Sequence, residues 1–153
     1  PVACLRFFTV YGPWGRPDMA LFKFTKKIIN GEFIKVYNNG KHYRDFTYID
    51  DIIAKTLLVS KKLKLKAEKN FFIYNLGNGK PVSLIKFIKK IEDELKIKSK
   101  IQFLPAQQGD MIGTHADMKY FNRTFGKTKN TKLKIGIKRF INWYKLYFKK
   151  NEI

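Results

Sequence analysis

The feature that most constrains this chain is its opening run. Val2 to Val10 reads VACLRFFTV and is almost continuously apolar. A strand with one wet face alternates apolar and polar residues. An unbroken run fits a strand buried on both faces, as in a parallel sheet. The YGPWGRPD stretch that follows is rich in Gly and Pro and reads as a loop.

The rest of the chain alternates two periodicities. Asp18 is placed to cap a helix from about Met19 to Asn30, with Leu21, Phe22, Phe24, Ile28 and Ile29 on or near its inner face and Gly31 closing it. Phe33 to Tyr37 is a short strand, NNGK a turn, and Tyr43 to Tyr48 an extended segment. Asp50 caps a second helix, with an apolar face that includes Ile52, Ile53, Thr56 and Leu57. Lys61 to Lys69 reads as the end of that helix running into a loop. Phe71 to Leu76 is a strand. Ser83 then caps a strongly amphipathic helix carrying Leu84, Phe87, Ile88, Ile91 and Leu95 at helical spacing. Ile101 to Leu104 is a short strand and PAQQGDMIGTH a loop. Asp117 starts a helix that ends at Gly126. The last helix aligns Ile137, Phe140, Ile141, Tyr144 and Phe148. Alternating strands and helices define an α/β fold.

Length and charge bound the function. A chain of 153 residues suits one domain or a large piece of one. The formal net charge of +20 raises nucleic acid, an anionic surface or an acidic ligand as partners. The excess is 27 Lys against 5 Arg, scattered along helices. Phosphate recognition by forked hydrogen bonds favours Arg. The Lys are therefore read as a solvated surface, and a nucleic-acid-binding module is the alternative. Cys4 sits inside the apolar run and reads as a buried small hydrophobe; a lone cysteine forms no intrachain disulfide. No apolar run is long enough to cross a membrane and no signal peptide is present, so a cytoplasmic location is expected. The chain opens at Pro1, without Met, directly into a strand, and reads as a fragment or truncated product.

Candidate chemistry lies in three polar loops. His42 and His115 are far apart and lack ligand spacing, so no metal site is expected. No GxSxG, P-loop or GxGxxG pattern occurs. The first loop, Thr9 to Asp18, follows the buried strand, and ligands of α/β sheets bind outside the carboxyl ends of strands. Thr9 offers a hydroxyl and Arg16 can pair a carboxylate or phosphate, or else stay solvated. The second, Lys41 to Tyr48, sets Arg44 among aromatic residues, suited to a diphosphate or to a surface ion pair with Asp45. The third, Gln107 to Asp110, places at a tight turn a carboxylate able to accept from a vicinal diol, or an ordinary turn Asp.

Together, in this order, the loops carry a resemblance. The chain is similar to the extended short-chain dehydrogenase/reductase family, and within it to the nucleotide-sugar epimerases. LRFFTVYGPWGRPDMA looks like the matching segment of UDP-glucuronate 4-epimerases. RDFTYIDDI resembles the family's RDF-x-Y-V-x-D segment, and YNLGNGKPVSL its strand–turn–helix element. QQGDMIGTHAD resembles Q-P-G-D-V-x-x-T-x-A-D, with Gln108 in place of Pro, and GIKRFINWY looks like the final helix.

The resemblance implies the C-terminal part of such an enzyme: the end of the Rossmann-type parallel sheet plus the smaller substrate-binding domain, over residues 1–153. It implies NAD as cofactor, a UDP-sugar as substrate, and a homodimer in the full-length enzyme. The implied reaction is transient oxidation at C4, rotation of the keto-sugar and re-reduction, converting UDP-glucuronate to UDP-galacturonate. A related dehydratase, decarboxylase or reductase shares these motifs. Residue by residue, Phe7 and Phe8 match positions beside the nicotinamide, and Thr9 a residue near the sugar. Arg16 matches an arginine near the sugar carboxylate, Val36 and Tyr37 the uracil contact, Arg44 the diphosphate-binding arginine, and Asp110 the ribose-binding carboxylate. Gln107 stands where galactose-type enzymes have Arg, which favours an acidic sugar. The family's glycine-rich NAD turn and its Tyr-x-x-x-Lys pair do not occur here: four residues after Tyr120 and Tyr144 stand Thr124 and Phe148. No catalytic residue is assigned, the NAD-binding half is read as absent, and the chain is expected to be inactive alone.

Overall fold

The computed structural model describes residues 1–63 and 71–150. Strands β1 (Val2–Phe7) and β2 (Thr9–Tyr11) lead to helix α1 (Ala20–Ile29) and strand β3 (Phe33–Val36). A 3-10 turn at Asn38–Gly40 precedes β4 (Tyr43–Arg44) and β5 (Phe46–Tyr48), which runs into α2 (Ile49–Lys62). There follow β6 (Phe71–Leu76), β7 (Val82–Ser83), α3 (Leu84–Leu95), β8 (Lys100–Phe103), α4 (Lys119–Phe125) and α5 (Leu133–Lys150). The pairs β1–β6, β2–β5 and β3–β8 are parallel, and β4–β7 is antiparallel. The α/β expectation holds. Of the Lys61–Lys69 stretch, the helix end at Lys62 agrees, and residues 64–70 lie outside those described.

The larger core lies between α1, α3, α5 and the β2–β5 pair. Phe46 and Phe87 stack at 3.9 Å with planes 4° apart, and Tyr11 meets both edge-on. The amphipathic pattern of α3 is the reason: Phe87, Ile88, Ile91 and Leu95 are buried, and Ser83 Oγ accepts the Lys86 amide at 3.3 Å to start the helix. In α5, Ile137, Phe140, Ile141 and Tyr144 are buried, as expected, with Phe148 packed at the margin. A smaller cluster joins Ile52, Val59, Tyr74, Leu76 and Phe121 beneath β1 and β6.

Several expectations are corrected. The apolar run is two strands, because Phe8 and Thr9 change partners: the Phe8 amide donates to Leu76 and the Thr9 amide to Asp45. β1 is not buried on both faces. Ala3 and Leu5 face the small cluster, while the opposite side, with Val2, Phe71 and Ile73, is 57%, 56% and 42% exposed. Cys4 belongs to that outer side and is exposed, not buried. Two acidic caps are also absent. Asp18 gives its carboxylate to Arg16, so α1 starts at Met19 without a side-chain cap. Asp50 gives its carboxylate to Arg139, and α2 starts at Tyr48, likewise uncapped. The buried face of α2 is Ile52, Lys55 and Val59, and Ile53 and Leu57 are half exposed; Ile29 of α1 is also exposed.

Removing the stacked ring at the centre of the core tests this packing. Phe87→Ala is expected to lower the unfolding free energy by roughly 3–5 kcal/mol, read from urea denaturation followed by circular dichroism.

Candidate sugar-nucleotide site

The segment RDF is built around a buried carboxylate. Asp45 is completely buried. It accepts backbone N–H bonds from Asn78 at 2.8 Å, Gly79 at 2.9 Å and Ala116 at 2.9 Å, and a weaker one from the Thr47 hydroxyl at 3.4 Å. Gly77 is required beside it: a Cβ there would lie 2.3 Å from the Ala116 Cβ. Asp45 therefore ties β5 to the turn after β6 and to the segment that returns from the 107–115 loop. The surface ion pair between Arg44 and Asp45, one of the two sequence readings, does not form.

Neighbours along an extended strand point to opposite faces, so Arg44 turns away from Asp45 and into a cavity of about 420 Å³. Arg44 Nη1 donates to the carbonyls of Tyr43 and Ile112 at 2.9 and 3.2 Å, and Nη2 to Asp110 Oδ1 at 3.3 Å. His42 Nε2 lies 3.3 Å from the other Asp110 oxygen. The imidazole is almost fully buried, the guanidinium and the carboxylate partly open. Sequence reasoning missed His42, having judged it only as a metal ligand. The one signal was its place two residues before Arg44, just ahead of the segment read as extended, where a continued extended chain puts both on one face.

The same cavity is lined by Thr9, Tyr37, Lys23 and Lys35. Three of its lining cations thus surround two carboxylates, Asp18 and Asp110. Thr9, Arg44 and Asp110, singled out in three separate loops, and Tyr37, matched by the resemblance, line this one cavity. Val36 is not at the surface of the cavity; it is fully buried in the core beneath Tyr37. Gln107 lies outside the cavity and contributes its backbone carbonyl to the Asp110 amide at 3.2 Å. Phe7 is 52% exposed and Phe8 half-buried, and neither lines this cavity.

Arg16 lies at the other side of Thr9, in a small adjoining pocket. Its guanidinium holds Asp18 through both Nε and Nη2, and this hydrogen bond pulls the Asp18 carboxyl below its ordinary pKa. The loop is also pinned from behind. Trp14, in a left-handed conformation, contacts Trp143 and Tyr147 of α5 at ring separations of 5.2 Å each.

Residues 1–77 match the model of the NAD dependent epimerase/dehydratase family, and the chain belongs to that family. It is 45% identical, over 97% of its length, to an uncharacterized 37.6 kDa protein of Escherichia coli O111:H-, covering 48% of that protein. It is 41% identical to UDP-glucuronate 4-epimerase 2 of Arabidopsis thaliana, over 95% of this chain and 36% of the relative. Its fold superposes with a TM-score of 0.86, at 28% identity, on UDP-glucuronic acid 4-epimerase from Bacillus cereus in complex with UDP-glucuronic acid and NAD, over 96% of this chain and 46% of that one. The chain spans about half the length, or less, of the relatives it matches.

The residues present do not by themselves fit NAD. Among the described residues no glycine-rich turn of the GxGxxG kind joins a strand to a helix start, and Phe7 and Phe8 offer only hydrocarbon.

Asp45→Asn replaces one acceptor oxygen by a donor and leaves a buried N–H without a partner. The expected loss is about 3 kcal/mol of stability, with faster hydrogen exchange at the amides of Asn78, Gly79 and Ala116 measured by NMR.

Proposed function

We propose that this chain is the sugar-nucleotide-binding portion of an NAD-dependent UDP-uronate 4-epimerase. The observation that carries the reading is the convergence of Thr9, Tyr37, Arg44 and Asp110 on one cavity, in a chain whose relatives include UDP-glucuronate 4-epimerases. Arg44, braced by two carbonyls, keeps Nε–H and one Nη2–H for a diphosphate oxygen. Asp110, braced by Arg44 and His42, keeps lone pairs for the ribose hydroxyls. Tyr37 offers a ring face to the base. Thr9 and Arg16 stand at the sugar end, where Arg16 reads the uronate carboxylate after releasing Asp18. Asp18 is thus a built-in competitor for the sugar's own charge.

NAD, when bound, supplies hydride transfer. This chain's part is to hold and orient the nucleotide sugar. Residues 1–153 act as one substrate-binding unit, and turnover requires an NAD-holding half that this sequence does not include. The exposed side of β1 and β6 gives that half an apolar face to cover. The chain alone is expected to bind UDP-sugars without interconverting them.

Isothermal titration of the chain with UDP, UDP-glucuronate and UDP-glucose tests the reading. Losing a charge-assisted contact of about 2 kcal/mol, Arg44→Ala should weaken all three by roughly thirty-fold. Arg16→Ala should remove the preference for the uronate and leave UDP alone unchanged. Asp18→Asn should strengthen the uronate selectively. Equal affinity of the wild-type chain for UDP-glucuronate and UDP-glucose would overturn the substrate assignment.

A further inference from the structure

Lys55 is buried inside α2, with 1% of its surface exposed. Its ammonium has three N–H donors, and the single hydrogen bond it makes among the described residues is to Asn130 Oδ1, at 2.6 Å. The carboxylates that act on it electrostatically are Asp51 and Asp45, and both are spent elsewhere. Asp51 accepts from the Thr131 amide and hydroxyl at 2.7 and 2.9 Å, and Asp45 is saturated by its three amides. Neither forms an ion pair with Lys55 among the described residues. Burying a cation is costly unless it is closely paired, and burial pushes the Lys55 amine below its ordinary pKa, with Asp51 and Asp45 opposing that shift from a distance.

The space that Lys55 borders makes the imbalance larger. It lines a groove of about 750 Å³ between α2, the turn after β6, and the 127–133 segment. Four more lysines line it: Lys80, Lys86, Lys127 and Lys132. Among the described residues no carboxylate does. The remaining polar lining is amide and hydroxyl, from Asn78, Asn122, Thr128 and Thr131 among others. The groove shares no lining residue with the Arg44 cavity. Five ammonium groups around one concavity focus a positive potential into it. A compact oxyanion of two or more charges has acceptors in every direction, and lysine serves such groups as a point charge.

We propose that this groove is a second anion site, taking a phosphate or pyrophosphate group with Lys55 as its buried anchor. The site is independent of the UDP-sugar reading. Bound there, the anion supplies a contact ion pair and hydrogen-bond acceptors for the two remaining Lys55 donors, and draws Lys80, Lys86, Lys127 and Lys132 onto its free oxygens.

The test is calorimetric titration of the chain with pyrophosphate, and separately with inorganic phosphate, at 0.15 M salt. It is run in the Arg44→Ala background, so that the other cationic cavity does not contribute. One equivalent of pyrophosphate is expected to bind. Lys55→Met, which keeps the side chain's bulk and removes its charge, should weaken it at least ten-fold. Lys86→Ser, on an exposed side chain that leaves the core intact, should weaken it several-fold and so guards against a folding artefact. Stronger binding of pyrophosphate than phosphate supports a groove that holds two phosphoryl groups, and the reverse order limits the site to one. No binding in the Arg44→Ala background overturns the proposal. So does binding that Lys55→Met and Lys86→Ser leave unchanged. Salt-steep binding of a short RNA with the same indifference to both variants would also overturn it, reducing the lysines to a diffuse surface charge.

Discussion

One buried carboxylate organises this structure. Asp45 collects three backbone N–H groups from two segments that lie about 30 and 70 positions away in the chain. An ionised carboxylate in a dry interior persists only when its oxygens are satisfied. That requirement draws the turn after β6 and the return of the 107–115 loop onto the strand that carries Arg44. Without it, Arg44 and Asp110 would sit on two unconnected loops. The Phe46–Phe87 stack then fixes the adjoining strand β5 to α3, so the segment that carries Arg44 has a polar clamp at Asp45 and an aromatic one at Phe46.

Charge is distributed by the same logic. Three carboxylates that could have capped helices or stayed in water are each committed to one partner set: Asp18 to Arg16, Asp110 to Arg44 and His42, Asp51 to Thr131. With 12 acidic residues against 32 basic ones, these commitments leave large areas of the surface positive. The Arg44 cavity is balanced by Asp18 and Asp110. No carboxylate among the described residues lines the Lys55 groove, so its lysines are not offset in the same way.

Local pattern carried much of the architecture. Ser83 and the spacing of α3 were legible because a cap and a period of 3.6 are properties of a dozen neighbouring residues. The same holds for α5 and for β6. Asp18 and Asp50 misled, since an acidic residue before a helix is a cap only if nothing better is in reach, and Arg16 and Arg139 are. Ile53 and Leu57 misled because α2 turns Lys55 inward, which no hydropathy scale anticipates. Thr9, Arg44 and Asp110 were singled out from three loops and Tyr37 from the resemblance, and all four line one cavity. Val36 and Gln107 do not line that cavity: Val36 is buried in the core and Gln107 is exposed. His42 was passed over because its partner, Asp110, is 68 positions away and only tertiary structure makes the pair.

The contact between Trp14 and α5 links two parts of the chain that are otherwise remote. These are the chain's only tryptophans and stand with their rings 5.2 Å apart, one on the loop that bears Arg16 and one near the end of the last helix. Two indoles at that separation share their excited states, so the pair is a natural optical gauge. A displacement of the Arg16 loop would change the coupling between them and so register in the near-ultraviolet spectrum without a label.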